Sequence, residues 1–289
     1  MDVEILKTLI LNTFVLSFLY ILSALGFAFI FNMMGAINIS HGVIYMISAY
    51  VCYYAMEWLG VGNWLGLIIA IAIVSLLGLL MERTVFRPFM SELNRTIMIS
   101  VALISLLQTI VANTTGSREQ IIPSFALGRS NIFGLTVSNE KLLITAIGFT
   151  LLVAVLFIVN RTTLGRQMEA IAQDRTASAL QGIKLNKVAA IVCAIGFALA
   201  AVSGGMMGSL QRITSTMGDN MQVRILMVVM LAGAGSKSMN GLIITGFILG
   251  AIDSTLPVFM IGTTAQAITG FVVLVLMLIR PTGFFGHEM

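Results

Sequence analysis

Charge is what this sequence most lacks. Only 10% of its 289 residues are Asp, Glu, Lys or Arg, against about 25% in a soluble domain. Sixteen basic and twelve acidic side chains cannot cover a globule of this length in water. That excludes an ordinary soluble enzyme and, with 58% hydrophobic residues, a disordered chain. Cysteine is scarce as well. Cys52 and Cys193 both sit in apolar runs and read as small buried hydrophobes, which excludes a disulfide scaffold or a cysteine metal site. The nearest approach to a phosphate loop, Gly233-Ala-Gly-Ser-Lys-Ser238, has the wrong spacing and no strand before it, so no nucleotide site is expected. The net charge of +4 comes from scattered residues. It reads as a topology signal, and nucleic acid is not an expected partner.

What is present is long apolar runs. Thr8 to Met56 contains no charged residue. Since about 20 apolar residues span a bilayer, this run must fold back. The natural break is Asn32–Gly42, where Gly35, Asn38, Ser40, His41 and Gly42 cluster. Further charge-free runs are Trp58–Met81, Thr96–Ser117, Leu142–Asn160, Val188–Gln211, Ile225–Ser236, Ser238–Ile252 and Ser254–Ile279. They are continuously apolar, not alternating, so helices and not a barrel satisfy their backbone groups in lipid. The expectation is an all-α, polytopic membrane protein of eight or nine spans with broken or re-entrant segments, forming one transmembrane domain over residues 1–289. Asp2 and Glu4 at the start do not suit a cleaved signal peptide.

Basic residues set the orientation. Glu82–Arg95 carries Arg83, Arg87 and Arg95, and Arg161–Lys187 carries Arg161, Arg166, Arg175, Lys184 and Lys187. The opposite loops carry fewer: Arg118, Arg129 and Lys141 in one, Arg212 and Arg224 in the other. The richer loops are assigned to the cytoplasm, with the N-terminus outside and the C-terminus inside. Five spans then precede Arg161–Lys187, so a second half would lie inverted. Inverted repeats with broken helices are a transporter trait.

The segment from Gly165 to Ile183 reads as helix, turn, helix. Asp174 is a good N-cap and Gly182 suits the left-handed position that closes a helix. The helix between them, Thr176–Gln181, is too short to be stable alone and must lie on another surface. Small side chains at Ala177, Ser178 and Ala179 permit a close approach.

This loop, with Gly165, Glu169, Ala170, Asp174, the alanines and Gly182, resembles the coupling-helix loop of ABC importer permeases. The whole chain resembles the branched-chain amino acid ABC transporter permease family. Gly35-Ala-Ile-Asn38-Ile-Ser40-His41-Gly42 is similar to that family's G-x-x-N-x-[AS]-H-G stretch. Glu82-Arg83 followed by Phe86-Arg87-Pro88 is similar to its E-R-x-x-[YF]-R-P loop, and Thr115-Gly116-Ser117 to its segment after the fourth span. Leu231–Ser236 resembles its L-x-G-x-G-S stretch, though no proline follows, and Pro281–Gly286 resembles its P-x-G-[IL]-x-G ending.

The resemblance implies a permease subunit in the bacterial inner membrane that catalyses no bond change. It would form half of a pathway for branched-chain or other amino acids, or for urea and short amides, whose permeases share these motifs. Its partners would be two ATP-binding cassette subunits, a second related permease and an extracytoplasmic solute-binding protein. ATP would be bound by the partner subunits, and this chain would bind no cofactor or metal. Gly165, Glu169, Ala170, Asp174, Ala177, Ser178, Ala179 and Gly182 would couple it to the ATPases, and Asn38, Ser40, His41 and Gly42 would line the pathway.

Other readings of single residues stay open. His41 and Asn38 could instead satisfy carbonyls freed at the helix break. An intramembrane serine protease would use His41 as base and Ser203 as nucleophile. A proton-coupled carrier would use Asp253, an acid within an apolar stretch, although Ser254 and Pro257 suggest a helix end open to solvent there. Asp219 and Arg224 are expected at the outer face.

Overall fold

A computed structural model describes residues 3–35, 38–89, 92–116, 118–132, 135–233, 239–280 and 283–284. They fall into two compact units. The first comprises Met1–Ala24, Ser124–Val153 and Arg224–Met289, the second Leu25–Pro123 and Ala154–Val223. The long helices are α1 (Val3–Met34), α2 (His41–Leu59), α3 (Asn63–Met81), α4 (Leu93–Thr115) and α5 (Asn139–Arg161). Two short helices follow, α6 (Thr163–Gln173) and α7 (Arg175–Leu180). Then come α8 (Leu185–Leu210), α9 (Met217–Ala232), α10 (Met239–Phe259) and α11 (Gly262–Ile279).

Among the described residues seven helices, α1, α3, α4, α5, α8, α10 and α11, are long and apolar enough to cross a membrane. That is fewer than the eight or nine expected: α2, at 19 residues, and α9, at 16, are not among them.

The run from Thr8 to Met56 breaks where expected, with α1 ending at Met34 and α2 starting at His41. Three boundaries differ from the sequence reading. A two-stranded hairpin, β1 (Arg129–Ile132) and β2 (Leu135–Ser138), stands in the Arg118–Lys141 loop. Its eight residues are too few and too polar to span anything. α9 starts at Met217, so Arg224 lies inside a helix and not in an outer loop. α10 runs through Asp253, Ser254 and Pro257 to Phe259. A proline in the last turn removes one hydrogen bond without ending the helix before it.

The core of the second unit is α2, α3 and α8 packed on one another. In lipid there is little hydrophobic drive between helices, so they gain by close approach. α1 and α8 meet at Gly26 and Gly196, where a Cβ on Gly26 would overlap the Gly196 carbonyl oxygen. In the first unit Phe18 packs edge-on against Phe149 of α5 and Phe247 of α10, with ring centroids 6.3 and 5.5 Å apart.

Candidate functional site

The helix break and the Arg161–Lys187 loop both belong to the second unit. At the break, Asn38, Ser40, His41 and Gly42 are all buried. Ala36 and Ile37 lie outside the described residues. Asn38 organises the turn: its Oδ1 accepts from the Ser40 backbone N–H at 3.1 Å and from the Ser40 hydroxyl at 2.6 Å. The His41 ring lies against Phe27 and Phe197, at 6.0 and 5.7 Å between centroids. Phe197 is at the middle of α8, a 26-residue candidate span. The start of α2 is therefore level with the middle of a membrane helix.

One residue of this arrangement escaped the sequence reading. The Gly42 N–H donates to Oε1 of Gln222 on α9 at 2.6 Å. A Cβ on Gly42 would overlap the Gly218 carbonyl oxygen, and one on Gly218 would lie 2.6 Å from the Gly42 oxygen. Only glycine lets the first turns of α2 and α9 meet in this way. The available signal was a neutral amide next to an apolar run, hidden because Arg224 was taken as the limit of the membrane segment.

The long loop folds as expected. Asp174 caps α7, its Oδ1 accepting from the N–H groups of Thr176 and Ala177 at 2.8 and 2.9 Å. Gly182 has φ +84°. Its N–H donates to the Ala179 carbonyl at 3.0 Å, and the Ile183 N–H to the Ser178 carbonyl at 3.1 Å. These two bonds are the Schellman closure of a helix. Ser178 is buried, whereas Ala179 and Gly182 are exposed and Leu180 is 85% exposed. Ala177 is half-buried. Of the α6 residues, Glu169 is exposed, and the Ala170 carbonyl accepts from the Asp174 N–H at 3.0 Å. Gly165 is buried at the α5–α6 corner, where a Cβ would overlap the Val159 backbone; its place is in the corner and not on the outer surface.

Two further contacts hold this region. Nη1 of Arg175 donates to the Met33 carbonyl of α1 at 3.2 Å. Arg87 makes a bidentate pair with buried Glu82, Nε and Nη2 lying 2.9 and 2.7 Å from the two carboxylate oxygens. Arg87 also reaches the Asn186 carbonyl at 3.5 Å, setting its loop against the start of α8.

In the first unit, Asp253 sits in a network. Arg224 Nε, the Tyr20 hydroxyl and the Thr269 hydroxyl donate to its carboxylate at 2.6, 2.9 and 3.1 Å. The Arg224 and Asp253 side chains are only 18% and 7% exposed. The expectation of a solvent-open Asp253 is thus corrected, and Arg224 is a paired residue within α9 and not a solvated loop residue. Each is sheltered by the other, since a buried ion is tolerated only when paired. Asp219 is exposed and accepts from Gln108 at 2.7 Å.

Ser203 does not pair with His41. Its hydroxyl donates to the Leu199 and Ala200 carbonyls of its own helix, about 9 Å along α8 from Phe197. The protease reading has no geometry behind it. Among the described residues no three His, Cys, Asp or Glu side chains stand together as a metal site needs. Residues 234–238, Ser117, Pro281–Thr282 and Phe285–Gly286, which carry parts of the remaining motifs, lie outside the described residues. A cavity of about 410 Å³ in the first unit is lined by Glu4, Thr8, Asn12, Thr136 and apolar neighbours. None of them belongs to the break or the loop.

Comparison with known proteins completes the picture. A family model described as "Branched-chain amino acid transport system / permease component" matches residues 9–280. The chain is 30% identical over 284 residues to the high-affinity branched-chain amino acid transport system permease protein LivH of Escherichia coli, covering 93% of this chain and 91% of that one. It is 28% identical to the permease protein BraD of Pseudomonas aeruginosa, covering 93% and 92%. LivM of Escherichia coli is 24% identical, over 77% of this chain and 58% of that one. Among solved structures, PsaBC from Streptococcus pneumoniae in complex with Fab has a similar fold, with a TM-score of 0.55 at 12% identity, covering 98% of this chain and 97% of that one.

Proposed function

Because the chain belongs to the branched-chain amino acid transport system permease family, we propose that it is a subunit of an ABC importer forming half of a pathway for leucine, isoleucine or valine. A second, related permease forms the other half. Two ATP-binding cassette subunits drive the cycle, and an extracytoplasmic binding protein delivers the solute. The N-terminus lies outside and the C-terminus inside, with residues 161–187 in the cytoplasm. The observation that carries this reading is α7. A six-residue helix is too short to persist by itself, yet this one is closed at both ends by Asp174 and Gly182. It buries Ser178 on its own chain and leaves Leu180 and Ala179 outward. Such a helix is suited to sit in a groove of another protein and pass on its movement. Nothing in that role requires chemistry from the helix itself.

The pathway runs past the break, where α2 and α9 start at mid-membrane level. Irregular backbone at that depth is tolerated where it is enclosed by protein or lines a water-filled route.

Reconstitution tests this. The chain alone in proteoliposomes, given a proton gradient and a mixture of leucine, isoleucine, valine and urea, should accumulate none of them. Addition of the ATPases, the partner permease and the binding protein should give ATP-dependent uptake of the branched-chain amino acids. Uphill uptake by the chain alone would instead make it a secondary carrier. ATP-driven uptake of urea without the amino acids would reassign the substrate.

A further inference from the structure

We propose that the side-chain amides of Asn38 and Gln222 form a binding subsite for a carboxylate, that of the transported amino acid, at the point where α2 and α9 begin. The proposal rests on the permease reading above and names the group that the pathway recognises.

Both amides are deeply buried, Asn38 at 1% exposure and Gln222 at 6%. Their orientation is fixed by backbone donors. Oδ1 of Asn38 accepts from the Ser40 N–H, and Oε1 of Gln222 accepts from the Gly42 N–H. The remaining atom of each amide, Nδ2 and Nε2, is therefore an NH₂ donor, and neither has a hydrogen-bond partner. A buried donor left unpaired is costly, and here two occur on residues anchored to backbone groups two positions apart, those of Ser40 and Gly42. The complement of these two amide donors is a group that accepts from both.

The helices add to this. The start of each helix carries a partial positive charge of about half a unit. α2 and α9 touch through Gly42 and Gly218 in their first turns, so two positive ends converge where Gln222 reaches the Gly42 N–H and two residues after the Ser40 N–H that Asn38 holds. Ser40, at the N-cap of α2, makes no side-chain cap to the helix, because its hydroxyl is committed to Asn38. Asp219, the acid in the first turn of α9, is exposed and held by Gln108. An anion in a bilayer interior is expensive unless such ends and donors receive it. A carboxylate fits both the charge and the hydrogen-bonding sense. The backbone contact of Gly42 with Gly218 closes the site in this conformation, so the carboxylate enters when the two helix starts part.

The test uses the complete assembly, with its ATPases and partner permease, and measures binding of radiolabelled leucine without the binding protein. 4-Methylpentanoate, which keeps the carboxylate, should compete, and 3-methylbutylamine, which keeps only the amine, should not. Asn38→Asp and Gln222→Glu preserve the oxygens that accept from Ser40 and Gly42 but replace each donor with an acceptor. Each should weaken leucine binding by about tenfold or more. Gln222→Met, which loses both functions, separates structure from recognition. If Gln222→Glu binds as the unaltered assembly does and only Gln222→Met is impaired, the amide is structural and the proposal falls. It falls equally if the amine competes and the acid does not, or if an assembly that imports leucine shows no leucine binding. Failure of the unaltered assembly to import any branched-chain amino acid would instead overturn the permease reading of the substrate.

Discussion

Arg175 on α7 donates a hydrogen bond to the carbonyl of Met33 on α1, at 3.2 Å. Met33 is in the last turn of α1, just before the break that holds Asn38 and His41. In the importer proposed above, this bond is the route by which a displacement of α7 reaches the helix end from which the break starts. Arg175→Met keeps the apolar stem and removes the donor. Losing a bond of about 1 kcal/mol shifts a two-state equilibrium by about fivefold. Leucine imported per ATP hydrolysed should fall while the quantity of assembled complex does not. An unchanged ratio would remove Arg175 from the transmission route.

Gly182 holds a φ of +84°, which closes α7. A β-branched side chain there costs about 1–2 kcal/mol, enough to fray a six-residue helix. Gly182→Val should therefore abolish ATP-driven uptake while the ATPases continue to turn over. Gly182→Asn, which tolerates the left-handed region, should retain most transport. Equal rates for the two variants would mean that the closure of α7 does not matter.

The cytoplasmic assignment of residues 161–187 is open to labelling. Ser178 is buried and a poor reporter, whereas Leu180 is outward. The native Cys52 and Cys193 are both buried. A membrane-impermeant maleimide should modify Leu180→Cys in inverted vesicles and not in intact cells. Reaction in intact cells would reverse the topology.

Arg224 and Asp253 should behave as one unit. Removing a single member of a buried pair leaves an uncompensated charge, at a cost of about 3–5 kcal/mol. Asp253→Ala should lower the thermal unfolding temperature of the purified protein markedly, and the double variant Arg224→Met/Asp253→Leu should recover most of the loss. If the double variant is no better than the single one, the network has a role besides pairing.

The parts legible in the sequence were those set by local or one-dimensional rules. The break within Asn32–Gly42 followed from a charge-free run too long for one span. The caps of α7 followed from Asp174 and Gly182, whose conformational preferences are their own. What stayed hidden depended on partners distant in the chain. Arg224 looked like the end of a membrane segment because the acid that neutralises it, Asp253, lies on another helix. Gln222 was assigned to a loop for the same reason. Its place beside Gly42 depends on the contact of two glycines that no local pattern links. The expected roles of Ser178 and Gly165 shifted once burial was known: the first faces its own chain, and the second makes a corner.

The meeting of α1 and α8 at Gly26 and Gly196 has a mechanical corollary. Two rods touching backbone to backbone at one point can rotate about it, but they cannot slide past without first separating. The contact is a fulcrum. On α1 the arm from Gly26 to Met33 is about 10 Å, and on α8 the arm from Gly196 to Leu185 is about 16 Å. A rotation of about 10° moves those ends by only about 2–3 Å. In the proposed importer, α7, held on the shorter arm by Arg175, therefore needs to tilt only slightly to move that end.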